Sequence, residues 1–296
     1  MKEINYKLNE GITPEGSPDM KYYAFDWDDN IVMMPTKIIL LDDKGDEVMM
    51  STEDFAHNRS KIGKSTFEYM GHNIVGFADD AFRNFTIKGD KLFLRDAMIA
   101  KTGPAWKDFV EAINGGSIFS IVTARGHTPS VIKNAVYNYI ITDFEGISST
   151  ELIENLKKYR DLTDEEDTSP TQLIKEYLDL CRFYPVSYNQ EGGATSPEQL
   201  KIEALEEFKR YVKNISKELH KKAYLKNKVS NNFNPKIGFS DDDIRNVEKV
   251  SQHFEKDPEN IIKTYSTQGG EKKLYNKGKE EKINEQINRM LKLIKH

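Results

Sequence analysis

Three apolar runs in this chain end in the same way. Tyr22 to Phe25 stops at Asp26-Trp27-Asp28-Asp29-Asn30, Ser117 to Val122 at Thr123-Ala124-Arg125-Gly126, and Lys236 to Ser240 at Asp241-Asp242-Asp243. Runs this short, rich in aromatic and β-branched residues, fit buried strands. After the second cluster Thr128-Pro129 opens a helix through about Tyr139, with Thr as cap and Pro at the first helical position. A helical pattern from Ile244 to Phe254 follows the third. Strand, polar junction and helix in repetition predict an α/β fold: a Rossmann-like, mostly parallel sheet with helices on both faces. The three polar clusters then share one edge, outside the carboxyl ends of the strands, where open sheets bind their ligands.

The intervals between the strands suggest additions to that core. Residues 33–100 exceed what one crossover needs and contain a hairpin through Asp42-Asp43-Lys44-Gly45-Asp46, so they are expected to form an inserted cap, with the core in 21–32 and 101–270. About 140–190 is expected to be a second, helical insertion: helices over Ser149 to Tyr159 and Pro170 to Cys181 flank the acidic Asp161 to Asp167, and an apolar run Phe183 to Tyr188 follows. Ser196-Pro197-Glu198 starts a long helix to about Lys226, and Ile261 to Ser266 suggests one more strand. Residues 1–20, broken by Gly11, Pro14, Gly16 and Pro18, form an N-terminal extension. A basic amphipathic helix, Lys279 to Ile294, is expected within 271–296.

Composition removes several classes. In 296 residues with a net charge of −5, nothing global attracts nucleic acid, although Lys201 to Lys228 carries nine Lys or Arg against four Glu. The apolar runs fall short of a membrane span. One cysteine, Cys181, forms no intramolecular disulfide, and the six histidines show no zinc-ligand spacing. Met1 to Met20 lacks the apolar stretch of a secretory signal, so a reducing, cytoplasmic setting is expected. Gly63-Lys64-Ser65 has the ending of a P-loop, but Asn58 stands where its first glycine belongs.

The three clusters resemble the motifs of the haloacid dehalogenase-like phosphatases and phosphotransferases. The first motif there, an apolar strand followed by Asp-x-Asp-x-Thr/Val, is matched by Asp26-Trp27-Asp28-Asp29-Asn30, with Asn30 as the departure. An amide can bond locally much as a threonine hydroxyl does, so a modest effect on the loop is expected. The second motif, a strand ending in Ser or Thr, is matched by Ile118 to Thr123, continued by Ala124-Arg125-Gly126. The fourth, a strand ending in two acids, is matched by Asp241-Asp242, with Asp243 to Asn246 downstream. For the lysine of the third motif Lys201 is preferred, because Lys236 begins the strand that ends at Asp241 and so lies on the order of 16 Å from the carboxylate edge. The resemblance spans about 26–254 and leaves the two inserted regions unmatched.

The resemblance implies a phosphomonoester hydrolase that works through an aspartyl-phosphate, and the chemistry of the residues agrees. Carboxylates two positions apart at a strand end can face one pocket, so Asp26 is the expected nucleophile and Asp28 the general acid/base. Magnesium is the expected cofactor, held by Asp26, the Asp28 main-chain carbonyl and Asp241 or Asp242. Thr123, Ala124, Arg125 and Lys201 are expected to meet the phosphoryl group of a small phosphorylated substrate. Two alternatives stand beside this. The basic helix and tail suggest an end-processing phosphatase acting on nucleic acid, and a non-catalytic binding module would keep the same fold. A receiver domain also uses Asp, Thr, Lys and magnesium, but there the acids precede a central phosphorylated Asp.

Overall fold

The computed structural model describes residues 21–160, 169–188, 195–225 and 235–275. The expected extension 1–20, the acidic run Asp161 to Asp167, the end of the basic helix towards Lys228 and the helix from Lys279 all lie outside these.

In chain order the strands are β1 (Lys21–Phe25), β2 (Val32–Met33), β3 (Ile38–Asp42), β4 (Glu47–Met50), β5 (Phe67–Tyr69), β6 (His72–Phe77), β7 (Lys101–Thr102), β8 (Phe119–Thr123), β9 (Arg182–Pro185), β10 (Lys236–Asp241), β11 (Ile262–Ser266) and β12 (Lys273–Leu274). The α-helices are α1 (Thr52–Asn58), α2 (Asp90–Ala97), α3 (Trp106–Asn114), α4 (Pro129–Ile141), α5 (Ser149–Arg160), α6 (Pro170–Leu180), α7 (Pro197–Leu225) and α8 (Ile244–Phe254). The main sheet has the order β12-β11-β10-β1-β8-β9. Every neighbouring pair from β11 to β9 is parallel, and β12 closes one edge antiparallel. The fold is therefore broadly Rossmann-like, as the strand and helix grammar predicts.

Why the central strands carry apolar residues on both faces is visible in their alternation. Tyr23 and Phe25 of β1, with Phe119 and Ile121 of β8, face a core that α3, α4, α5 and α6 cover. Tyr22, Ala24, Val122, Ile237 and Phe239 face the opposite way, against Leu205, Phe208 and Val212 of α7 and Val250 of α8. A parallel sheet covered on both faces has no solvated side to supply polar alternation.

The stretch 33–100 leaves and re-enters the core at one place, where Val32 pairs Thr102 and Met33 pairs Lys101. Between these lies a second antiparallel sheet, β4-β3-β6-β5, with its own core of Ile38, Leu40, Val48, Met50, Ile62 and Ile74. This is a cap-like insertion built on the expected hairpin, β3 to β4. Its last helix, α2, buries Phe93 and Ala97 in the main core.

Within the region about 140–190, β9 pairs in parallel with β8 at Ser120↔Arg182 through Thr123↔Pro185. Helices α5 and α6 lie in the connection that carries the chain from β8 to that edge strand, and Leu152, Leu156, Leu173 and Tyr177 pack into the main core.

Candidate functional site

Sheet register brings the first and third polar clusters together. Phe25 lies opposite Ser240 on one side and Ile121 on the other, and the Asp26 N–H donates to the Ser240 carbonyl at 2.9 Å. Asp26, Asp241 and Thr123 thus meet at the carboxyl edge of three adjacent strands. Beyond Asp26 the chain turns tightly, with the Ile31 and Val32 N–H groups donating to the Trp27 carbonyl. Gly103 is forced by this turn, since a Cβ there would lie 2.5 Å from the Asn30 carbonyl oxygen.

Lys201, in the second turn of α7, reaches the same edge. Its ammonium lies 2.7 Å from Asp241 Oδ2 and 3.0 Å from Asp26 Oδ1, with 1% of the side chain exposed. Lys236 instead donates to the Asn260 carbonyl at the far end of β10. Asp241 is wholly buried, and its Oδ1 accepts from the Asp243 N–H at 2.9 Å and from Asn246 Nδ2 at 3.0 Å.

Asp26, Asp241 and Asp242 each offer a carboxylate oxygen within 4.8 Å of the others. Burial pushes the Asp26 carboxyl well above the ordinary range; Lys201 opposes this, and Asp241 and Asp28 add to it. Asp242 is raised well up by burial, then by Asp241, Asp26 and Asp29. Burial would lower the Lys201 ammonium, but the charges of Asp241 and Asp26 outweigh it and hold it above its ordinary value. These directions are consistent: one ammonium shared by several carboxylates is stabilised by all of them, while each carboxylate is opposed by burial and by its like-charged neighbours.

That surplus of negative charge is the test of whether a cation suits the site. Asp26 Oδ1 is buried and receives no well-aligned hydrogen bond, and among the described residues no donor bonds the Asp242 carboxylate. Hard oxygen donors with free lone pairs match the preference of magnesium. The residues present fit such an ion.

The remaining expected residues are placed as follows. Thr123 is 1% exposed, and its Oγ1 accepts from the Arg125 N–H at 3.3 Å, which leaves its own proton to donate. Ala124 is exposed beside it. Asp28 is half-buried, and Arg125 grips both its oxygens at 2.8 and 2.7 Å. The structure therefore brings Arg125 to Asp28.

Sequence reasoning undervalued two groups. Asn30 Nδ2 donates to the Asp26 carbonyl at 3.0 Å and to the Ser240 carbonyl and hydroxyl at 3.1 Å each, and its Oδ1 accepts from Thr267 at 2.8 Å. The departure from the motif is thus a bracket across β1, β10 and the end of β11, not a loop residue alone. From the insertion, Arg59 lies 3.1 Å from Glu198 and 3.7 Å from Asp243. The basic run His57 to Lys64 in the sequence is the signal available there, but nothing local to it names those partners.

No match to this chain is found among family models, curated proteins or solved structures. Among the described residues, no helix is long and apolar enough to cross a membrane.

Proposed function

We propose that this chain is a magnesium-dependent phosphomonoester hydrolase of haloacid dehalogenase-like type, acting through an aspartyl-phosphate, an acyl phosphate of Asp26. The observation that carries the reading is the buried Asp26, Asp241, Asp242 and Lys201 group at the carboxyl edge of a parallel sheet. Asp26 Oδ1 is buried, lies 3.0 Å from the Lys201 ammonium and receives no other donor, which suits a nucleophile whose charge is offset. Its oxygen bonds to phosphorus, the bond to the leaving oxygen breaks, and that oxygen takes a proton from Asp28. Water then attacks phosphorus and gives its proton to Asp28, the bond from Asp26 to phosphorus breaks, and inorganic phosphate leaves. Lys201 offsets charge on Asp26 and on the group in transit, and the Thr123 hydroxyl donates to a phosphoryl oxygen.

Asp26, the Asp28 carbonyl and Asp242 would hold the magnesium, with Asp241 committed to Lys201. When bound, the ion offsets the repulsion between a carboxylate and a phosphate.

The basic face of α7 lends the nucleic-acid alternative less support than its composition does. Lys201 serves the site, Lys209 pairs Asp257 at 2.9 Å, and Lys213 pairs Glu259. The test is hydrolysis of p-nitrophenyl phosphate with magnesium, with EDTA and by Asp26→Asn. Turnover that needs magnesium and disappears in Asp26→Asn is the expected result. Undiminished turnover by Asp26→Asn would overturn the reading.

A further inference from the structure

Arg125 is a cation with 1% of its side chain exposed, between the candidate site and the insertion. Four of its five N–H groups are engaged: Nε and Nη2 hold the two Asp28 oxygens, Nη2 also donates to Thr36 Oγ1 at 3.2 Å, and Nη1 faces His127 Nε2 at 3.2 Å. Guanidinium groups only donate, so His127 Nε2 accepts, and its Nδ1 carries the proton towards Asp90 Oδ1 at 2.8 Å. The guanidinium carbon lies over two rings, 4.6 Å from the centre of Phe85 and 4.9 Å from that of Phe93. Thr36 is itself held by Asp96 at 3.3 Å, and the Gly126 N–H donates to the Phe85 carbonyl at 2.7 Å.

The origin of these partners matters. Asp28, Arg125 and His127 belong to the core loops after β1 and β8, whereas Thr36, Phe85, Asp90, Phe93 and Asp96 all come from the inserted stretch. A bidentate pair fixes both the position and the plane of a carboxylate, and this pair is fixed in turn by groups the insertion supplies. Each Asp28 oxygen spends one lone pair on Arg125 and keeps another for a reacting proton.

We propose that Arg125 is a positioning residue for Asp28, seated by Thr36, Phe85 and Phe93, so that the acid/base carboxylate is aligned only while the insertion is docked on the core. This rests on the hydrolase reading above, in which Asp28 moves the proton. Proton donation matters most when the leaving oxygen is a poor one. An alkyl phosphate needs the proton, and p-nitrophenyl phosphate, whose leaving group departs as a stable anion, needs it far less.

The experiment measures kcat and KM on both esters for the wild type, Arg125→Gln, Arg125→Lys, Thr36→Val and Phe85→Leu, together with Asp28→Asn and the Asp28→Asn, Arg125→Gln double variant. Arg125→Gln is expected to lower kcat/KM, which reports the first transfer and not the shared hydrolysis of the Asp26 phosphate, about 100-fold on the alkyl ester and less than about 10-fold on the nitrophenyl ester. Arg125→Lys is expected to recover part of the loss. Thr36→Val and Phe85→Leu, which leave the ion pair intact and serve should Arg125→Gln not fold, are expected to skew the two esters in the same sense by a smaller factor. In the Asp28→Asn background, Arg125→Gln is expected to add nothing. An equal fall in kcat/KM on both esters, additive losses, or a rise in KM with kcat preserved would overturn the proposal, the last by placing Arg125 on the substrate. Loss of the hydrolase reading has a separate signature: no Asp26-dependent turnover of the nitrophenyl ester by the wild type, which removes both readings together.

Discussion

The ammonium of Lys201 lies 2.7 Å from Asp241 Oδ2, and both side chains are shut away from solvent. A buried charge with good partners becomes costly when one partner is removed. Lys201→Met leaves the three carboxylates with no ammonium among them, and it is expected to destabilise the protein by about 3–5 kcal/mol. Chemical denaturation at pH 8 in EDTA checks this, and pairing it with Asp241→Asn should show losses that fall short of additive.

Asp26, Asp241 and Asp242 are all raised above the ordinary carboxylate range, by burial first. A carboxyl raised in the folded state stabilises the fold below its unfolded pKa, and that contribution is lost as the pH rises through the folded value. Without a divalent cation, the cluster therefore weighs against the fold more at pH 8 than at pH 5. Magnesium is expected to raise the melting temperature clearly at pH 8 and little at pH 5, where protons compete for the same oxygens. Asp242→Asn is expected to raise the melting temperature in EDTA at pH 8 and to shrink the magnesium shift. Equal magnesium shifts at the two pH values would contradict this.

Asn30 offers a sharper test than its place in the motif suggests. Threonine, the residue the resemblance would put there, cannot supply both the donors to Ser240 and the acceptor for Thr267. Asn30→Thr is expected to cost about 1–3 kcal/mol and to lower turnover by loosening the turn that carries Asp26 and Asp28. Urea unfolding and initial rates measure the two effects.

Cys181 is 3% exposed, and burial pushes its thiol up to about 12. Thiolate is the reactive form. The native protein is therefore expected to resist a thiol reagent such as Ellman's at pH 8 and to react with one equivalent once unfolded in urea. Rapid labelling of the native protein would contradict the packing of α6 against β8.

Much of the fold and of the candidate site was legible because it is local. A strand and the polar residues that end it are contiguous, so Asp26, Thr123 and Asp241 could be placed on one edge, and the resemblance singled out Lys201 one turn into the helix that Ser196-Pro197 opens. What escaped depends on pairing at a distance. Arg125 and Asp28 are 97 residues apart, and nothing beside either names the other. Asn30 looked like a loop amide because its partners Ser240 and Thr267 arrive from strands at the other end of the chain. The run after Cys181 was visible as apolar, but its parallel pairing with β8 is a property of the assembled sheet.

The two-residue ribbon of Val32–Met33 with Lys101–Thr102 gives the molecule a modular grammar. Entry and exit are adjacent and already paired, so a segment of another length or shape can be exchanged there while β1 and β8 stay in place. Packing restrains that freedom: a replacement must still supply a hydroxyl where Thr36 stands and rings where Phe85 and Phe93 stand. Topology makes this segment interchangeable, and its grip on Arg125 makes it selective about what can be interchanged.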